Sequence, residues 1–284
     1  MKLKVTMVGL GLIGGSLGMA IKKKKLARVI GLTREKSKAA LAVKLKAVDY
    51  ASTNIRGIIR DADIIFICYP IHLIVPEISK IIQFVKPGTI ITDVGSSKGL
   101  IVKEAERIMP KGVFFVGGHP MAGGEKVGLE EAQIDLLEKK NYILTKTPKT
   151  NGKALSVLKA LISKLGAKVH ILTPDAHDSI VAGISHMPVA VAAALVDSVL
   201  GSGRSCSGMT QFAASGFRDS TRIASGSPDM GTDMFITNKK AVLAALASFK
   251  KSLAKIEKLI KQGDAASIKM ELSQIKDFRD SIFK

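Results

Sequence analysis

The side chains that could do chemistry in this 284-residue chain gather in a few short segments. Gly9-Leu10-Gly11-Leu12-Ile13-Gly14 spaces its glycines as a phosphate-binding turn does. The first glycine permits a tight turn, the second lets backbone amides approach a pyrophosphate, and the third lets helix and strand pack closely. The run follows an apolar strand and opens a helical pattern, which is the context this fingerprint requires. At the end of the next strand, an NAD-binding turn places a carboxylate for the ribose hydroxyls. Here Thr33 and Arg34 stand there, with Lys36 close by. A hydroxyl and a guanidinium would bind a 2′-phosphate that a carboxylate would repel, so the expected cofactor is NADP in preference to NAD. The alternative is that Arg34 and Lys36 are solvated loop charges.

Asp93-Val94-Gly95-Ser96-Ser97-Lys98-Gly99 and Gly117-Gly118-His119-Pro120-Met121-Ala122-Gly123 each follow a predicted strand. In an open α/β sheet the carboxyl ends of the strands form the ligand crevice, so both segments should converge near the cofactor. A histidine between glycines and a proline at a strand end has little reason to be core, which makes His119 a candidate acid or base. Further on come His177-Asp178, Ser185-His186-Met187-Pro188, and Arg218 and Arg222 within a Gly- and Ser-rich stretch. Guanidinium groups bind carboxylates bidentately. Surface pairing with Asp219 or Asp229 explains the arginines equally well, and composition leaves that choice open.

These segments need a scaffold. Short β-branched runs alternate with helical patterns at Leu3–Val8, Val29–Leu32, Ile64–Ile67, Thr89–Asp93, Val113–Val116, Tyr142–Leu144 and Lys168–Leu172. Pro87-Gly88 and Pro110 to Gly112 are turn signals just before strands. The alternation predicts a parallel sheet with crossover helices over residues 1–173, an α/β Rossmann-type doubly wound domain. Beyond Pro174 the β-branched runs stop, and residues 174–284 read as an all-α domain. Ile180–Leu200 is apolar nearly all round, predicting a helix buried on most sides by this chain or a second subunit. Val242, Leu246, Phe249, Leu253, Ile256 and Ile260 mark one face of an amphipathic helix. Gly263 then stops it, and Asp264 caps a second helix with Ile268, Leu272, Ile275 and Ile282 facing inward.

Lys and Arg outnumber Asp and Glu by 43 to 24, which favours association with anions. With no Trp and three Tyr, the chain lacks a stacking surface for nucleic acid, and none is expected as a partner. Lys22 to Lys25 read as cations at a helix carboxyl end. Cys68 and Cys206 are expected as unpaired, buried thiols in a reducing compartment. The glycines between Gly9 and Gly18 argue against a signal peptide, and His186, Pro188 and Asp197 argue against a membrane span at 180–200. A cytoplasmic protein is expected.

Taken together, residues 8–16, the Gly-Gly-His-Pro-Met-Ala-Gly segment, Ile-Ser-His-Met-Pro at 184–188 and Gly-Phe-Arg-Asp-Ser-Thr-Arg-Ile at 216–223 resemble the prephenate/arogenate dehydrogenases of tyrosine biosynthesis. The match runs in order across almost the whole chain. The resemblance implies a Rossmann domain followed by a helical domain that dimerises, and an oxidative decarboxylation of prephenate or arogenate by NADP or NAD. It implies that His119 accepts the substrate hydroxyl proton, assisted by Ser96. Arg222 would hold a substrate carboxylate, Arg218 would add field, and His186 would line the side-chain end of the pocket. Val189 stands where many bacterial members carry a second His, Gly124 where Thr or Ser is common, and Gly231 where Trp is common. Val189, Gly231 and Thr33-Arg34 look more like the cyanobacterial, arogenate- and NADP-using type, while leaving prephenate and arogenate both open. As the sequence stands, the helix hairpin leaves no room for a regulatory domain, so feedback by tyrosine would act at the active site. The competing readings are another dehydrogenase with a helical tail, such as a hydroxyacid type, and a dinucleotide sensor without turnover.

Overall fold

Val5, Thr6, Met7 and Val8 are all fully buried although they point alternately to opposite faces of one strand. A strand covered on both faces belongs at the centre of a parallel sheet flanked by helices. The computed structural model, which describes residues 3–123, 128–202 and 209–283, has that architecture. Strands β1 (Lys4–Val8), β2 (Arg28–Leu32), β3 (Tyr50–Ser52), β4 (Ile64–Ile67), β5 (Ile90–Asp93) and β6 (Phe114–Val116) form one sheet. Its order is β3-β2-β1-β4-β5-β6 and every pairing is parallel. The strand order reverses between β1 and β4, and ligands of such sheets bind in the crevice at that point.

The period-two alternation divides the core between the two faces. Met7 and Phe66 pack with Leu17 and Ile21 on one side. Val8, Ile65 and Ile67 pack with Ile74 and Ile78 on the other. The strand β3 was not anticipated, because Tyr-Ala-Ser is a short edge strand without a hydrophobic run.

A second difference bears on the site. The predicted strands at Tyr142 and Lys168 do not extend the parallel sheet. β7 (Gly118–Pro120), β8 (Asn141–Thr145) and β9 (Lys168–Leu172) form a separate sheet in which β7 runs antiparallel to β8 and β8 parallel to β9. The chain leaves β6 at Val116 and changes sheets through Gly117 and Gly118. A side chain on Gly117 would put Cβ 2.5 Å from Oγ1 of Thr145, and one on Gly118 would put it 2.6 Å from the carbonyl of Asp93. Only glycine fits that corner, and it places His119 on a strand rather than on a loop.

Beyond β9 the described residues are helical. Thr173 caps the helix Pro174–Val181 by accepting from the amide of Ala176 at 3.2 Å. A π-helical turn, Ala182–His186, joins it to the helix Met187–Ser202. The expectation that 180–200 is buried on most sides does not hold within the single chain: Ile184 is 65% and Leu200 75% exposed. The cause is that little of this chain packs over that run, which carries apolar residues on every side. Pro174–Leu200 is also the one run among the described residues long and apolar enough to cross a membrane, with mean hydropathy 1.9.

Packing divides the chain into two units, Met1–Lys239 and Lys240–Lys284. The first helices beyond β9 thus group with the sheet. In the second unit, the helix started at Lys239 ends at Gln262, Gly263 adopts a positive φ of 66°, and Asp264 caps Ala265–Ile282 by accepting from the amide of Ala266. Leu253 and Ile260 on the predicted apolar face of the first helix, and Leu272, Ile275 and Ile282, expected to face inward, are exposed in the single chain, since two helices alone cannot enclose their own apolar stripes. Cys68 is a free, partly buried thiol, while Cys206 and Gly124 lie outside the described residues.

Candidate active site

At the head of the sheet the glycine turn divides its tasks by position. Gly9 has a positive φ of 96°, and a Cβ there would lie 2.6 Å from the carbonyl of Cys68. On Gly14 it would lie 2.3 Å from the carbonyl of Gly9, so this residue lets the helix Leu12–Lys23 approach the strand. At Gly11 nothing stands within 4 Å of where a Cβ would be. That glycine leaves space open to the outside, and as the helix N-cap it brings no side chain to the free amides. Open space, bare amides near Leu12 and Ile13 and the positive end of a helix dipole fit a pyrophosphate. These residues could hold a dinucleotide.

At the end of β2, Thr33 is buried and its amide donates to the carbonyl of Ser52 at 3.2 Å. Arg34 is 57% exposed, pairs with Glu77 at 2.6 Å and lies over the ring of Tyr69, 4.9 Å from its centroid. Lys36 is exposed at the start of the next helix. Glu77 was not anticipated, because a carboxylate inside the apolar helix Ile71–Ile81 reads as a solvent-facing residue. Burial pushes its carboxyl up, and hydrogen bonds from Lys80 and Arg34 more than reverse this, leaving it below the usual carboxylate range. It therefore stays ionised and holds Arg34 in place.

A buried polar cluster lies at the carboxyl ends of β5 and β6. Asp93 closes β5 and accepts from the amides of Gly95 at 2.9 Å and Gly118 at 3.1 Å. Lys98 reaches back to pair with Asp93 and donates to the carbonyl of Gly118 at 2.9 Å. Asp178, on the helix Pro174–Val181, accepts from the amides of Lys98 at 2.7 Å and Gly99 at 2.8 Å. Its neighbour His177 bonds Asp178 through Nδ1 and His119 through its Nε2, each at 2.8 Å. Asn238 donates to the carbonyl of Asp178 at 2.8 Å and contacts Nδ1 of His186 at 3.2 Å. Ser97 bonds Thr237, leaving Ser96 half-buried beside it.

The electrostatics favour an uncharged imidazole at 119. Burial pulls its pKa well below 6.5, and His177, Lys98 and His186 add to the fall. A neutral histidine can accept a proton at neutral pH. His186 is likewise pulled down to about 4, by burial first, with Asp178 opposing and His177 adding. The π turn buries this side chain. Because Asn238 donates to its Nδ1, the His186 proton sits on Nε2, which is buried and faces the backbone of Ser96.

Of the residues singled out from sequence, His119, Ser96 and His186 thus fall in or beside this cluster, and Gly9, Gly11 and Gly14 build the turn. Arg218 is exposed and pairs with Asp219 at 3.2 Å. Arg222 is exposed at the start of a short 3-10 turn, Arg222–Ser225, that packs against the helix Met187–Ser202. The sequence reading assigned no role to Asp93, Lys98, His177, Asp178 or Asn238. The segment Asp93 to Gly99 and the adjacent His177-Asp178 pair were the visible signals.

Comparison with known proteins agrees across the length of the chain. Residues 17–176 match the family described as prephenate dehydrogenase, nucleotide-binding domain, and residues 173–274 its dimerization domain. A prephenate dehydrogenase of Bacillus subtilis (strain 168) is 36% identical over 284 residues, 99% of this chain and 76% of that protein. The crystal structure of Synechocystis arogenate dehydrogenase is 35% identical with a TM-score of 0.87, covering 99% of this chain and 100% of that one. That of prephenate dehydrogenase from A. aeolicus, in complex with hydroxyphenyl propionate and NAD+, is 32% identical with a TM-score of 0.93, covering 99% of each.

Proposed function

The chain belongs to the prephenate dehydrogenase family, and from that premise we propose that it oxidatively decarboxylates prephenate, arogenate or both, with NADP favoured over NAD, in tyrosine biosynthesis. The nicotinamide dinucleotide supplies the hydride acceptor. The substrate gives up hydride from the ring carbon bearing its hydroxyl, and loss of the ring carboxylate as carbon dioxide aromatises the product. This chain's residues must therefore take the hydroxyl proton, hold a small anion and orient it.

The observation that carries the reading is the buried, neutral His119 at the carboxyl end of the sheet that bears the glycine turn. His119 accepts the hydroxyl proton, and Ser96 hydrogen-bonds the same oxygen. The fixed positive charge that a dianion needs comes from Arg222, with Arg218 adding to the field. The burial of His186 beside Asn238 and the backbone of Ser96 supports its assignment to the side-chain end of the substrate. Gly9, Gly11, Gly14, Leu12 and Ile13 bind the pyrophosphate through backbone. Thr33, Arg34 and Lys36 form the 2′-phosphate end, with Arg34 held by Glu77. We assign residues 1–173 to the cofactor and 174–284 to substrate and assembly. The protein works in the cytoplasm as a homodimer in which the exposed apolar helices meet a second copy rather than lipid.

Purified protein supplied with prephenate or arogenate and each oxidised cofactor should produce the absorbance of reduced nicotinamide. Absence of turnover with every combination would end the proposal.

A further inference from the structure

Asp178, His177 and His119 form an unbroken buried line, carboxylate to imidazole to imidazole, with both links at 2.8 Å. The roles in such a line are fixed from its anionic end. Asp178 is held below its usual range: burial raises it, and hydrogen bonds from His177 and from the amides of Gly99 and Lys98 outweigh that. An ionised carboxylate only accepts, so Nδ1 of His177 carries a proton and donates it. If Nε2 of His177 also carried one, it would donate to Nδ1 of His119 and leave the His119 proton on Nε2. If it is bare, it accepts from Nδ1–H of His119, and the lone pair of His119 lies on Nε2.

We propose that His177, oriented by Asp178, is a positioning residue that fixes the tautomer and plane of His119 so that its Nε2 presents a lone pair to the substrate hydroxyl. The inference rests on the reading of His119 as the base, since a proton on Nε2 would leave no site to accept another. When the hydroxyl proton arrives on Nε2, His119 becomes a cation whose Nδ1–H still points at His177. No second proton moves, and the charge balances the hydride that leaves in the same reaction. The ring planes cross at 67° with centroids 5.0 Å apart, so His177 meets its neighbour edge-on and fixes the rotation of that ring.

The arrangement has a further consequence for assembly of the site. The same carboxylate accepts from the amides of Lys98 and Gly99, in the segment that carries Ser96. One side chain therefore sets the direction of the base and the position of the loop that supplies its helper. Orientation through an intermediate imidazole is worth as much as the loss caused by a wrong tautomer, which in a related arrangement of carboxylate and histidine reaches about 10⁴-fold in rate.

The test compares His177→Phe, His177→Gln and His119→Asn in the full-length enzyme. His177→Phe removes the acceptor and should lower kcat by about 10²-fold, with KM for substrate and cofactor changed less than about 3-fold. His177→Gln places an amide oxygen near the lost Nε2 and should recover much of that loss. Should His177→Phe not fold, nitrogen NMR of ¹⁵N-histidine-labelled wild-type protein decides: Nδ1 of His119 should be protonated and Nε2 bare, and a proton on Nε2 would overturn the proposal. Near-normal kcat in His177→Phe with an inactive His119→Asn would overturn the positioning role alone. Near-normal turnover in His119→Asn would overturn the base assignment and this inference with it.

Discussion

Lys98 and Asp93 form an ion pair in which neither side chain has any solvent exposure. Asp93 also accepts from the amides of Gly95 and Gly118, so the pair ties the end of β5 to the strand that carries His119. Burial pulls the Lys98 ammonium down, and the charge and hydrogen bond of Asp93 oppose this. A buried pair is weak evidence for net stability, but removing one partner leaves the other charge stranded.

Lys98→Met should therefore cost about 3–5 kcal/mol of folding stability. Urea denaturation of the variant against wild type measures it. A loss below about 1 kcal/mol would mean that Asp93 finds other compensation.

The glycine turn separates folding from binding. Gly11→Ala meets nothing within 4 Å in the protein, so the unfolding midpoint should stay where it is while cofactor affinity falls at least about tenfold. Gly14→Ala drives a methyl into the carbonyl of Gly9 and should lower the midpoint as well. Thermal melts beside cofactor titrations distinguish the two. Equal behaviour of both variants would contradict the assigned roles.

Much of this architecture is legible in the residues themselves. Strands of four or five residues rich in β-branched side chains, the turn at Gly9 to Gly14 and the helix break at Gly263-Asp264 carry their signals locally. What escaped depended on contacts between distant segments. A three-residue edge such as Tyr50–Ser52 has no periodicity to detect, and the move of Gly118–Pro120 into a second sheet is enforced by Thr145 and Asp93 rather than by its own residues. Lys98 was visible only as a member of the segment Asp93 to Gly99, because its return to Asp93 depends on how that segment folds back on the strand end. His177 and Asp178 were visible as a pair, but their targets lie 58 and 80 residues away.

The buried histidines predict how stability changes with pH. In the unfolded chain an imidazole titrates near 6.5, whereas His186 in the folded chain does so at about 4 and His119 well below 6.5. As pH falls from 6.5 the unfolded chain takes up protons that the folded chain refuses, so stability is full above 6.5 and falls below it. For His186 the loss levels off near pH 4. Each group contributes up to about 1.4 kcal/mol per pH unit. His186→Asn keeps an acceptor for Asn238 and should flatten the dependence by one group's share. Denaturation curves at pH 7, 6 and 5 test it, and an unchanged slope in the variant would contradict the assignment.

Arg34 should set the cofactor preference. Arg34→Gln is expected to raise KM for NADP by about tenfold or more while leaving NAD within about twofold. Steady-state kinetics with both cofactors provide the comparison, and equal effects on the two would show that this guanidinium does not meet the 2′-phosphate.

The account turns on one imidazole taking one proton, and the direct measurement is turnover by His119→Asn alongside a titration of its dinucleotide binding. Cofactor affinity should match wild type while kcat falls by about 10²- to 10⁴-fold. Wild-type turnover in that variant would contradict the account.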